Sequence, residues 1–312
     1  MAHQILNGGD RQRPRPLRLA ILAAALVGAF VAAAIASQAQ TPPVFTGGVD
    51  LIKVAVTVTD REYRFIPGLR QEDFVVYDDG KPQQIATFSS ERAPVSLGVL
   101  FDASRSMTAA KLASARAALT TFFNLLGPED ELFFAEFSEA MRLLQGWTTD
   151  RAVLQQAMLR VRGGAFTSLF DSMKEALRVA VSGKHTRKAL LLITDGDDTF
   201  SIASAREVRS ALSGYDVMVY ALGVQEAAKG SPKVKEGTLR GLTDDTGGRT
   251  EVVSGYENLE ETVKRLADEL GQQYVLSYPP PAGPAKKWHD IKVEVPKQKQ
   301  LIVRARKGYV SK

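Results

Sequence analysis

A doubly wound α/β unit with a mostly parallel sheet, inserted in or flanked by a small β-sandwich-like domain, is the fold class this sequence predicts. Three observations predict it. Between residues 93 and 271, continuous apolar stretches alternate with amphipathic ones, the pattern of a parallel sheet covered by helices on both faces. On either side, residues 40–92 and 272–312 carry short strand-like runs with turn signals and no helical period. The length of 312 residues suits one sizeable core and a smaller one.

The elements follow in order. Val54, Val56 and Val58 alternate with Ala55 and Thr57, and Phe74–Tyr77 runs through Asp78-Asp79-Gly80-Lys81, a hairpin turn signal, toward a return strand at Gln84–Phe88. After Pro94 the texture changes. The apolar run Val95–Phe101 reads as a buried strand, and Leu112, Ala115, Leu119, Phe122, Phe123 and Leu126 share one helical face closed by Gly127-Pro128. Further strands are expected at 132–137, 189–194, 217–224 and 250–253, with 141–145 as an edge strand hairpinned to 132–137. Helices are expected at 151–161, 168–182, 203–213 and 258–270, the last capped by Gly271. Beyond it, 274–278, 291–295 and 301–306 read as strands around a Pro-rich break. The strand-rich ends, 40–92 and 272–312, are expected to pair with each other.

The amino end has the order of an export signal: Arg11, Arg13, Arg15 and Arg18, then an uninterrupted apolar run from Leu19 to Ala36, then small and polar residues. Cleavage after Ala39 fits the small-residue rule. The run's 18 residues also reach the lower edge of a membrane-spanning helix, about 17–25 residues, so residues 1–39 are either a signal peptide or an inner-membrane anchor. Both place the rest in the periplasm or outside the cell.

Composition narrows the chemistry. The formal charge of +5 comes mostly from those four arginines, and no basic stripe with interleaved aromatics suggests nucleic-acid binding. The absence of cysteine excludes disulfides, thiolate catalysis and Cys-based metal sites. His3, His185 and His289 are scattered and read as structural or exposed.

Ligands of open parallel sheets bind at the carboxyl ends of strands. Three loops there share a theme: Asp102-Ala-Ser104-Arg-Ser106, then Gly163-Gly-Ala-Phe-Thr167-Ser168, then Asp195-Gly-Asp197-Asp198-Thr199. Taken singly, Ser104, Ser106, Thr108, Thr167 or Ser168 can be helix caps and Asp195-Gly196 a turn. Together they offer two lead carboxylates and three hydroxyls, hard oxygen donors that suit Mg2+, with Mn2+ or Ca2+ as alternatives, and disfavour zinc. A cation held largely by neutral hydroxyls stays electrophilic and accepts an outside carboxylate. Asp197, Asp198 and Arg105 read as solvated. No phosphate-binding Gly-rich loop ending in Lys and no Gly-x-Ser-x-Gly elbow is present, and no base stands beside the hydroxyls in sequence, so the chain does not read as an enzyme.

The set Asp102-x-Ser104-x-Ser106, Thr167 and Asp195-Gly196 resembles the complete metal-ion-dependent adhesion site of von Willebrand factor type A domains, over roughly 93–271. The flanks, through Gly68-Leu-x-x-Glu72-Asp-Phe, Asp79-Gly-Lys-Pro-Gln83, Phe88-Ser and Arg306-Lys-Gly-Tyr309, resemble an exported bacterial family related to these domains and best known from acidobacteria. The first resemblance implies that Ser104 and Ser106 coordinate a cation through their hydroxyls. Thr167 then coordinates directly in a ligand-bound state, and Asp102 and Asp195 directly or through water. It implies a protein partner that supplies an exposed Asp or Glu, and in relatives a movement of the last helix. The function it implies is an exported, divalent-cation-dependent, adhesion-type binding module. The alternatives are a structural or assembly subunit of a cell-envelope complex and, less favoured, a metal-dependent hydrolase.

Overall fold

The computed structural model describes residues 51–195, 197–226, 233–298 and 300–311. The apolar run at 19–36, the cleavage position after Ala39 and Gly196 lie outside them. No helix among the described residues is long and apolar enough to cross a membrane.

Four strands come first: β1 (Ile52–Thr59), β2 (Val75–Asp78), β3 (Lys81–Gln83) and β4 (Thr87–Ser89). The α/β region follows, with β5 (Val95–Asp102), α1 (Ala109–Leu125), β6 (Glu131–Phe137), β7 (Met141–Thr148), α2 (Arg151–Met158), α3 (Leu169–Ala180) and β8 (Arg187–Thr194). It continues through α4 (Ala205–Ser213), β9 (Met218–Gln225), α5 (Glu236–Thr243), β10 (Thr250–Ser254) and α6 (Leu259–Gly271). The chain closes with β11 (Tyr274–Tyr278), β12 (Trp288–Glu294), β13 (Ile302–Arg304) and β14 (Gly308–Val310).

The central sheet runs β10-β9-β8-β5-β6-β7. Its pairs are parallel except β6 with β7, which forms an antiparallel edge strand. From β5 the chain builds outward to β6 and β7, then returns to β8 on the other side of β5 and builds outward again. The sheet therefore changes direction between β5 and β8, the place where such folds open a crevice at their carboxyl ends.

Alternate residues of the buried strands feed two cores. Leu97, Val99 and Phe101 pack with Phe122, Leu154 and Leu266 under α1, α2 and α6. Leu100, Phe133 and Leu190 pack with Met173, Leu212 and Leu239 under α3, α4 and α5. This is the helix-on-both-faces arrangement that continuous apolar strands require.

The remaining strands form two antiparallel sheets, β13-β1-β11-β4 and β14-β12-β2-β3, around a third core that includes Val54, Val56, Phe74, Leu276 and Ile291. The Asp79-Gly80 turn takes positive φ at both central residues, 48° and 75°, the geometry of a two-residue hairpin. That tight turn makes Lys81–Gln83 the return strand, where Pro82 is tolerated at a sheet edge. The expected return strand at 84–88 therefore gives way to β4, which crosses to the other sheet and pairs with β11.

Asp78, fully buried, binds the two small sheets together. Its Oδ2 accepts the hydroxyls of Tyr278 (2.8 Å) and Tyr309 (3.0 Å), and its Oδ1 lies 2.9 Å from His289 Nδ1. Asp78→Asn puts an N–H where a carboxylate oxygen accepted, so one partner must turn to accept it, a tyrosine hydroxyl by rotation or His289 Nδ1 by changing tautomer. A loss of about 1–2 kcal/mol is expected, measured as a lower urea midpoint at unchanged slope.

Candidate functional site

Asp102 ends β5 and Asp195 follows the last residue of β8, so adjacent parallel strands deliver both carboxylates to the crevice where the sheet changes direction. Asp102 is fully buried. Its Oδ1 accepts the backbone N–H of Ser104 (2.9 Å) and its Oδ2 accepts the Thr194 hydroxyl (2.5 Å). Burial pushes its carboxyl up to about 6 and the charge of Asp195 adds to this, while the bonds from Thr194 and Ser104 only partly offset them.

From there a chain of oxygens crosses the crevice. Ser104 Oγ lies 3.2 Å from Ser106 Oγ, and the Ser106 hydroxyl donates to Asp195 Oδ1 at 2.6 Å. Neither serine caps the following helix. Thr108 does, accepting from Lys111 N at 3.4 Å.

The loop carrying Thr167 is tied to both neighbours. Gly164 N donates to Ala103 O (2.8 Å), Thr167 N donates to the Thr199 hydroxyl (3.0 Å), and Thr167 O accepts from Thr199 N (2.9 Å) and Phe200 N (3.1 Å). Thr167 itself is buried. Four of the five expected residues, Asp102, Ser104, Ser106 and Asp195, thus share one hydrogen-bonded chain, and Thr167 is held at its side through backbone contacts. Of the loop residues expected to be solvated, Arg105 is exposed, Asp197 pairs with Lys235 and Asp198 accepts Phe170 N at 3.3 Å.

Sequence reasoning did not single out the residues that brace these loops. Glu139, in the β6–β7 turn, accepts Ala165 N at 2.6 Å and Phe166 N at 3.3 Å. Hydrogen bonds from Ser138 and from the Ala165 backbone hold its carboxyl down at about 2. Gly164 is required because a Cβ there would lie 2.3 Å from that of Ser138. Lys111, on the first turn of α1, places its ammonium 3.0 Å from Asp195 Oδ2, 2.6 Å from Glu226 Oε1 and 2.7 Å from Ser106 O. Burial works to lower Lys111, and the bonds to Glu226 and Asp195 outweigh it and hold it above its ordinary value. None of these has a local sequence signal, since each depends on contacts across many residues.

A tighter group of ionisable ligands lies elsewhere. Among the described residues, Asp78, Asp79 and His289 have ligand atoms within 4.8 Å of one another. Two tyrosines and Lys287 already saturate that group, which gives it a structural part. The donor set at Asp102–Asp195 suits a divalent cation better. Its atoms are all oxygens, from Asp102, Ser104 and Ser106 on one loop, Thr167 on a second and Asp195 on a third, the hard donors such an ion takes.

Comparison with known proteins bears on the fold. The family model of the von Willebrand factor type A domain matches residues 97–265. Among solved structures, a von Willebrand factor type A protein from Catenulispora acidiphila is similar with a TM-score of 0.52 and 14% identity, over 86% of this chain and 75% of that one. Proximal thread matrix protein 1 from the mussel byssus, solved with a zinc-occupied metal-ion-dependent adhesion motif, is similar with a TM-score of 0.50 and 18% identity, over 62% of this chain and 49% of its own length. No curated protein matches the chain in sequence. With the family model covering more than half of its residues, the chain belongs to the von Willebrand factor type A domain family.

Proposed function

We propose that this protein is an exported module that binds a partner protein through a divalent cation, Mg2+ before Mn2+ or Ca2+, held by Asp102, Ser104, Ser106, Thr167 and Asp195. The observation that carries this reading is the oxygen chain from Asp102 through Ser104 and Ser106 to Asp195, anchored at the switch point of the sheet. A bound cation supplies the positive charge that attracts an exposed Asp or Glu of the partner. The protein's own residues supply an oxygen-lined seat and hold its loops still.

Two features favour a binding face over a merely structural metal. The three loops are already joined by protein hydrogen bonds, so a cation is not needed to hold them. The rings of Phe166 and Phe200, 50% and 51% exposed, stack 5.0 Å apart beside Thr167, an apolar platform next to the proposed seat. Binding is favoured over catalysis because His185 and His289 are engaged elsewhere, with Glu129 O and Asp78.

Export rests on the basic-then-apolar order of residues 1–39. We also propose that 40–92 and 272–312 form one domain interrupted by 93–271, a division supported by their shared core.

Thermal unfolding of the full chain during Mg2+ and Mn2+ titration tests the reading. A cation at about one hundred times its Kd is expected to add about 2.7 kcal/mol. Thr167→Ala should fold normally and bind at least about tenfold more weakly. Wild-type protein indifferent to both cations would refute the reading.

A further inference from the structure

We infer that Lys111 is a built-in counter-ion that competes with the divalent cation for Asp195 and so sets how tightly the site binds it. This inference rests on the proposed cation site and concerns its regulation. The Lys111 side chain is only 13% exposed, and its ammonium has hydrogen-bond donors for three acceptors. The three are in place: Asp195 Oδ2 at 3.0 Å, Glu226 Oε1 at 2.6 Å and Ser106 O at 2.7 Å. Two of them belong to residues of the proposed seat.

Asp195 is thereby divided between two partners. Oδ1 takes the Ser106 hydroxyl and Oδ2 takes the ammonium. A cation arriving at the hydroxyl side must draw on a carboxylate whose charge is already partly neutralised, with a like charge fixed beyond it. Lys111 also lies 5.8 Å from the ring centre of Tyr256, whose hydroxyl donates to Met107 Sδ at 2.8 Å. The ammonium thus sits beside an aromatic ring as well as its three oxygen acceptors.

The sign of the effect separates this role from a structural one. A residue that only shaped the loop would, when removed, weaken cation binding. A competing charge would, when removed, strengthen it, because two like charges a few ångströms apart in a partly buried setting repel strongly.

The test is calorimetric titration of Mn2+ into the full chain as wild type, Lys111→Met, Lys111→Gln and Lys111→Arg. Lys111→Met and Lys111→Gln are expected to bind Mn2+ about tenfold or more tightly than wild type. Lys111→Arg, which keeps the charge, should stay near wild type. Equal or weaker binding in both neutral variants, with wild type binding normally, overturns the role of Lys111 and leaves the cation site standing. Absence of binding in wild type and all variants overturns the cation site, and this inference with it.

Discussion

Asp102→Asn is expected to give a protein that is more stable without cation and no longer stabilised by it. The wild-type carboxyl is fully buried and pushed up to about 6 from its ordinary 3.8. A carboxyl raised in the folded state favours folding when protonated. That contribution is fully present below about pH 4 and is lost as pH rises through about 6. Between these limits the cation-free wild type gives up as much as about 3 kcal/mol at this one group. Asparagine is neutral throughout and keeps an acceptor for Ser104 N and a group able to pair with the Thr194 hydroxyl. Its advantage should be close to zero at pH 4 and about 2–3 kcal/mol at pH 7.5. Urea unfolding of both proteins in chelator at the two pH values measures this. The same titration with Mg2+ should stabilise the wild type alone. An Asn variant less stable than wild type at pH 7.5 would contradict a destabilising buried charge at Asp102.

Gly98→Val should be the most disruptive single change in the central sheet, costing about 3 kcal/mol or more. Gly98 lies on β5, directly opposite Phe133 of β6 and Leu190 of β8. A Cβ at this position would lie 2.2 Å from Phe133 Cζ and 2.8 Å from Leu190 Cδ1. Phe133 has nowhere to go, being fully buried and packed edge-on against Trp147 at 4.9 Å. The glycine therefore serves an aromatic ring that crosses the middle of the sheet. Gly98→Ala combined with Phe133→Leu should recover a large part of the loss of Gly98→Ala alone. A double-mutant cycle by chemical unfolding gives that coupling, and a value near zero would contradict the packing described.

The alternation of strands and helices was legible because it rests on local patterns. Val95–Phe101 reads as a buried strand from its own residues, and β5 spans Val95–Asp102. The face carrying Leu119, Phe122 and Phe123 is the one α1 buries. Helix α5 was missed. It is eight residues long and contains Gly237 and Gly241, so neither propensity nor period marks it. Strand β14 was missed because three residues carry no period, and β12 begins three residues before the expected 291. Gly271 is the last residue of α6, not its cap, and Gln272 takes the cap position.

The site divides the same way. Asp102, Ser104, Ser106, Thr167 and Asp195 could be chosen because their loops lie at strand ends and carry oxygen side chains at fixed short spacing. Lys111 and Glu139 could not, because their partners lie 84 and 26 residues away. Such pairs are made by the order of strands in the sheet. His289 shows the limit from the other side: a scattered histidine proved to be part of the buried network around Asp78, joining strands from opposite ends of the chain.

The most direct test of the cation site is a crystal structure of the full chain grown with Mn2+, with the ion located by anomalous scattering. The account predicts a single strong peak within bonding reach of the Ser104 and Ser106 hydroxyls, with Asp102 and Asp195 bound directly or through water. Crystals saturated with Mn2+ that show no peak there, or a peak only at Asp78, Asp79 and His289, would contradict it.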